Sequence, residues 1–182
     1  AAVTTIAPTG TLSMIANCSS GIEPLFAIAY VRNVAESLGT SLIVINPYFE
    51  RIAVERGFYD EKIIKAIMSS TSIQNIKEIP EDVRRIFVTA HDISPEWHVR
   101  MQAAFQEFVD NSISKTINFP NSATPHDVEK AFMLAYDLGC LGITVYRSGS
   151  REVEVLKPVS ETISGCEACE RFSLTNGNGE AR

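Results

Sequence analysis

The stretch "TPHDVEKAFMLAYDLGCLGITVY", Thr124 to Tyr146, decides the fold. Thr124 can accept from the free amides of a helix start, Pro125 suits the first helical position, and Asp127 favours the positive end of the helix. Val128, Ala131, Phe132, Ala135 and Leu138 recur at three and four and predict a buried stripe. Gly139 is placed to stop the helix in a left-handed conformation. "GITVY", Gly142 to Tyr146, then reads as a β-branched strand.

The same grammar extends upstream. Ser94-Pro95 opens a longer helix in which Trp97, Met101, Ala104, Phe105, Phe108 and Val109 form an apolar stripe. "KTINF" after it reads as a short strand. Alternation of helix and strand over residues 95–146 argues an α/β architecture with parallel strands. Pro80 opens a helix through "EDVRRIFVTA", Asp60 caps "EKIIKAIMSS", and Asn46-Pro47 starts a helix that ends near Gly57. "LFAIAYV", Leu25 to Val31, and "LIVIN", Leu42 to Asn46, are apolar runs of strand length.

Bulk properties bound the function. The 182 residues are 45% hydrophobic and 21% charged, which suits a soluble globular domain with a real core. A net charge of −6 argues against a nucleic-acid groove or an anionic membrane surface as the partner. It leaves a single nucleotide open, because backbone amides can hold a phosphate. No run approaches the roughly 18 apolar residues of a membrane span, and no signal peptide is recognisable. Cys18, Cys140, Cys166 and Cys169 do not space out as a secreted disulfide framework, so a cytoplasmic, mostly reduced chain is expected. The chain lacks an initiator Met and reads as a piece of something longer.

Chemistry-bearing residues cluster in "TTIAPTGTLSMIANCSSGIEP", Thr4 to Pro24. A strand end at Val3 to Ile6 leads to a Pro8-Thr9-Gly10 turn and a short helix from Thr11 to Ala16. Gly10 allows unusual dihedrals and close approach, free helix amides point at one spot, and Thr9, Thr11 and Ser13 add hydroxyls. An anion cradle and a plainly capped helix start both fit this pattern. The lysine and spacing of a Walker A loop are absent. Glu23 precedes Pro24, which forces it to be extended; it reads as a turn-locking residue at a strand entry rather than a catalytic one. His91 and His98 flank Asp92, but their spacing implies no convergence and no metal site is expected. Cys18 and Cys140 read as small core residues. Tyr146 and Arg147 end a parallel strand, where α/β folds place ligand contacts. The polar, glycine-rich stretch after Arg151 reads as a mobile tail. Its Cys166 and Cys169 form a lone CxxC, open to thiol-disulfide exchange, to half of a zinc ribbon, or to two unrelated thiols.

Three stretches taken in order add a resemblance. "TIAPTGTLSMIANCSSGIEPLFAIAYVR", "AHDISPEWHVRMQAAFQEFVDNSISKTINFPNSAT" and "DVEKAFMLAYDLGCLGITVYRSGSR" resemble the C-terminal part of the catalytic barrel of class II, adenosylcobalamin-dependent ribonucleotide reductases, from about Thr4 to Arg151. The resemblance implies a partial segment of a ten-stranded α/β barrel over residues 1–151, followed by a flexible, cysteine-bearing tail over 152–182. It implies that Pro8, Thr9, Gly10, Thr11 and Ser13 hold the phosphates of a ribonucleotide substrate and that Tyr146 lines the active site. It implies cobalamin-initiated thiyl-radical removal of the ribose 2′-hydroxyl, which supplies DNA precursors. The Asn-x-Cys-x-Glu motif of the family's radical cysteine does not occur in this sequence, so no residue is assigned as the radical centre or as a cobalamin ligand. Cys166 and Cys169 match a dithiol that re-reduces the active site, with a thioredoxin- or glutaredoxin-type protein as reductant. The N-terminal part of the barrel is then an obligatory partner, and the isolated segment is expected to be inactive. Without the resemblance, the rival reading is a stand-alone nucleotide- or phosphate-binding α/β module.

Overall fold

Capping signals and helical periodicity place most of the elements in a computed structural model, which describes residues 1–16, 18–33 and 41–150. In chain order these are α1 (Gly10–Ala16), β1 (Ala29–Asn33), β2 (Ser41–Ile45), α2 (Pro47–Glu55), α3 (Glu61–Met68), α4 (Glu81–Ile86), a 3₁₀ turn (Ala90–Asp92), α5 (Pro95–Gln106), β3 (Thr116–Phe119), α6 (Pro125–Asp137) and β4 (Thr144–Arg147). The predicted tail at 152–182, with Cys166 and Cys169, lies outside the described residues. None of the described helices is long and apolar enough to cross a membrane.

The described residues form two compact units. Residues 1–26 and 88–150 make the first, and residues 27–87 make the second. The first holds the β-α-β unit that the opening stretch predicts. β3 and β4 pair in parallel, with Thr116 opposite Thr144 and Phe119 opposite Arg147, and α6 joins them. Thr124 and Asp127 form a reciprocal capping box at the start of α6. Gly139 follows its end at φ 72°, the left-handed conformation that a residue with a Cβ resists. Val99 of α5, Ile117 and Phe119 of β3, and Ala131 and Ala135 of α6 make the core, with Val128, Leu134, Cys140, Ile143 and Val145 packed around it. A further extended chain joins these parallel strands: Ile6 bridges Ile113, Asn111 N–H donates to Thr4 O and Ser114 N–H to Ile6 O. The Asp110 carboxylate secures its start by accepting from the amides of Val3 and Thr4.

The second unit pairs β1 with β2 antiparallel. Asn46 caps α2 by accepting from the amides of Tyr48 and Phe49, and Asp60 caps α3 through Ile63 N–H. Phe49, Ala53, Ile63, Ile67, Ile79 and Val83 are buried, and Phe49 meets Phe87 edge-on at 5.4 Å. Arg84 supports the connection before α4, donating to Ile79 O and Gln74 O.

Several expectations are corrected. The apolar stripe of α5 is not its buried face. Trp97 is 65% and Phe108, just beyond the helix, 77% exposed, while His98, Val99, Gln102 and Gln106 face inward. The loops around the sheet leave backbone groups that only polar side chains can satisfy. Gln102 Nε2 donates to Gly142 O at 2.5 Å, and Gln106 Nε2 donates to Val109 O and Asn111 O. In α6 the buried stripe narrows to Ala131 and Ala135, because small residues let the helix lie close to the sheet; Phe132 is 46% exposed and Leu138 is also exposed. The helix through "EDVRRIFVTA" stops at Ile86, since Thr89 is drawn into a bridge with Leu25. The run from Leu25 to Val31 becomes that bridge and, from Ala29, β1. Cys18 is exposed rather than core, whereas Cys140 is half-buried, which pushes its thiol pKa up.

Replacing Thr124 with Ala removes the cap of α6. Hydrogen exchange on the complete protein should show the first-turn amides of that helix losing about 1 kcal/mol of protection.

Candidate functional site

The turn from Pro8 to Gly10 leaves the carboxyl end of the extended segment at residues 4–6, the edge where parallel α/β sheets bind ligands. Thr9 has φ 54°, a left-handed conformation unusual for a residue with a branched side chain. Gly10 does not carry the unusual dihedral that the sequence assigned to it; Thr9 does. The first hydrogen bond of α1 runs from Ser13 N–H to Thr9 O at 2.8 Å. The amides of Gly10, Thr11 and Leu12 precede it and so have no partner within the helix. A Cβ built on Gly10 meets no other part of the chain within 4 Å, so the space beside Gly10 is open, and Gly10, Thr11 and Leu12 are exposed. Thr11 is exposed, while the Ser13 hydroxyl donates to Gly10 O at 2.8 Å.

A second turn holds this one in place. Ser20 donates through its hydroxyl to Pro8 O, and Gly21 N–H donates to Thr9 Oγ1 at 3.0 Å. Gly21 itself has φ 53°, and a Cβ there would stand 3.2 Å from Ala7 O. Glu23 N–H closes the turn on Ser20 O at 3.0 Å. Tyr146 stands on β4 opposite Asn118 and is half-buried. It lies toward the same carboxyl edge as the Pro8 turn. Ile6 pairs at Ile113 and Tyr146 at Asn118, so the two are staggered by five residues, roughly 17 Å along the strands.

Behind the second turn is a polar cluster that sequence reading passed over. Lys115 is 2% exposed. Its Nζ donates to Glu23 Oε2 at 2.7 Å, to Thr116 O at 2.7 Å and to His98 Nδ1 at 2.9 Å. Thr116 N–H donates to Glu23 Oε1 at 2.5 Å. Because His98 Nδ1 accepts from the lysine, its Nε2 carries the proton and donates to Ala90 O at 3.0 Å. Burial pushes the pKa of both His98 and Lys115 down, against the pull of Glu23. The signal was in the strand alternation: Ile113, Lys115, Ile117 and Phe119 share one buried face. Glu23 keeps the turn-locking role read from the sequence, through an ion pair that the sequence did not reveal. Glu23, His98 and Lys115 form the polar end of an open groove of about 580 Å³ whose walls include Ile22, Trp97 and Phe105.

The first unit is a parallel β-α-β arrangement with the Pro8–Gly10 turn at the carboxyl end of a neighbouring extended segment. The family model described as "Ribonucleotide reductase, barrel domain" matches residues 1–146, and the chain belongs to that family. A vitamin B12-dependent ribonucleoside-diphosphate reductase of Thermoplasma acidophilum is 51% identical over 153 residues, which are 84% of this chain and 20% of that protein. One of Mycobacterium tuberculosis is 43% identical over 173 residues, 95% of this chain and 25% of that protein. Among solved structures, the class Id ribonucleotide reductase alpha subunit of Actinobacillus ureae matches with a TM-score of 0.63 at 19% identity, covering 78% of this chain and 25% of that one. That likeness speaks for the fold alone. The chain spans about a fifth to a quarter of the length of the two curated relatives.

The neutral, buried His98 has a pH consequence. The unfolded imidazole takes a proton as pH falls through 6.5, and the folded one does so only at lower pH. The stability that depends on neutral His98 is therefore full above 6.5 and is lost as pH falls toward the folded value. The stability advantage of the native protein over His98→Gln should shrink between about pH 7.5 and pH 5.5 in thermal melts.

Proposed function

We propose that this chain is part of the barrel of a vitamin B12-dependent ribonucleotide reductase, in which Pro8, Thr9, Gly10, Thr11 and Ser13 bind the phosphates of a ribonucleoside diphosphate. The observation that carries the reading is the turn at Thr9. It leaves three amides ahead of the first helical hydrogen bond, at the carboxyl edge of parallel strands, beside open space. Such amides attract an anion through their aligned dipoles and need no lysine, which suits a chain of net charge −6. The relatives' names supply the substrate class and the reaction, reduction of a ribonucleoside diphosphate; on this reading the products are DNA precursors.

On this reading residues 1–151 form the barrel portion and residues 152–182 a tail. Tyr146 lines the active site near the strand ends. Cys166 and Cys169 act as a redox shuttle served by a thioredoxin- or glutaredoxin-type reductant, and the rest of the barrel is the partner that completes the enzyme. The free thiols of Cys18 and Cys140 accord with a reducing, cytoplasmic setting.

Adenosylcobalamin is the cofactor that the relatives' names imply for the complete enzyme, and no ligand to it is assigned among the described residues. No three His, Cys, Asp or Glu side chains among them converge as a metal site, and both ring nitrogens of His98 are committed. The contribution of this segment is to bind and orient the substrate.

Gly10→Ala separates binding from folding. The added methyl group meets nothing in the protein but intrudes where the phosphate would lie. In the complete enzyme, KM for a ribonucleoside diphosphate should rise while the melting temperature holds. Thr11→Val should raise KM by about tenfold or more, the worth of one hydrogen bond to a charged group, with a smaller change in kcat. An unchanged KM in both variants rejects the phosphate role. The 182-residue chain alone should turn over no ribonucleotide; product formation by it in a radiochemical assay would contradict the partial-barrel reading.

A further inference from the structure

Lys115 has no part in the function proposed above, yet it is the most deeply buried charge described. Burying an ammonium group is costly unless every donor is used. Here all three are used, on Glu23, His98 and Thr116. Tracing the bonds outward from Glu23 leads to the turn at Thr9. Both Glu23 carboxylate oxygens are held at the start of β3, by Lys115 Nζ and Thr116 N–H. The Glu23 amide closes the second turn on Ser20 O. From that turn the Ser20 hydroxyl reaches Pro8 O, and Gly21 N–H reaches Thr9 Oγ1. A left-handed threonine is strained by about 1 kcal/mol or more and persists only where its surroundings hold it. These two bonds are the hold.

We propose that Lys115 is a positioning residue for the loop of residues 8–10, acting through Glu23 and the Ser20–Gly21 turn to keep the amides of Gly10, Thr11 and Leu12 aimed at one point. This rests on the reading of that loop as a phosphate site. The lysine touches no substrate. It fixes Glu23 to the sheet, Glu23 fixes the second turn, and the second turn fixes Thr9 in its left-handed state. A lysine needed for folding alone would change stability and leave substrate affinity untouched below the melting temperature.

The test uses the complete enzyme and the equilibrium binding of a ribonucleoside diphosphate, alongside KM and kcat. Lys115→Met weakens the hold at its buried end, removing the bond to Glu23 Oε2 and leaving the one from Thr116 N–H to Glu23 Oε1. Ser20→Ala cuts it at the half-exposed end without disturbing the buried cluster, and serves where Lys115→Met does not fold. Thr11→Val reports on the phosphate site directly. We expect both hold variants to weaken binding and raise KM by about fivefold to tenfold, with kcat within about twofold. Lys115→Met and Ser20→Ala should also be non-additive, because they break one chain of contacts. If Thr11→Val weakens binding while folded Lys115→Met or Ser20→Ala binds as tightly as the native enzyme, the positioning role is overturned and the phosphate reading stands. If Thr11→Val also binds normally, the phosphate reading falls and the positioning role falls with it. Additive effects of the two hold variants would show separate routes and reject the single chain.

Discussion

A charge buried beside a strand is the constraint on which the first unit turns. Lys115 points the same way as Ile113, Ile117 and Phe119, into the interior, so its ammonium group needs partners from several elements at once. Glu23 comes from the turn before Pro24, His98 from α5 and the Thr116 carbonyl from β3 itself. His98 passes the connection on to Ala90 O in the 3₁₀ turn. Three acceptors, from the turn before Pro24, from α5 and from the adjoining Thr116, are thus held to one nitrogen atom. Removing any one of them would leave a buried group unsatisfied, which costs more than the net worth of the bond itself.

The same need for satisfied polar groups explains why α5 turns its glutamines inward. The loops after α5 and α6 present carbonyls and amides beside the sheet, and Gln102 and Gln106 complete them. An apolar face could not do this. The stripe of Trp97, Met101 and Phe105 is left on the other side, where it walls the groove. Amphipathicity is therefore real in this helix, but its polarity is the reverse of the usual rule.

The candidate site follows from these supports. α1 is only seven residues long, too short to hold a precise orientation by itself. It is held by its neighbours, through Ser20 and Gly21 on one side and, via Thr4 and Ile6, through the 110–114 run on the other. The loop is thus part of a framework reaching to β3, and a change at Lys115 is felt at Thr9 through bonds that are all specified in atomic detail.

The sequence by itself determined the elements whose causes are local. The capping of α2, α3 and α6, the left-handed Gly139 and the parallel β3–α6–β4 unit all follow from residues within one element or its ends. The turn at Pro8 to Gly10 and its ordered resemblance to the reductase barrel were legible in the same way. Only the tertiary structure decided which face of α5 is buried, that Thr9 rather than Gly10 carries the strained dihedral, that Cys18 is exposed, and that Glu23 answers a lysine 92 residues away. The physical reason is the range of the interactions. Caps and periodicity act over a few residues, whereas a buried charge or a loop carbonyl is satisfied by whichever distant side chain the fold brings to it.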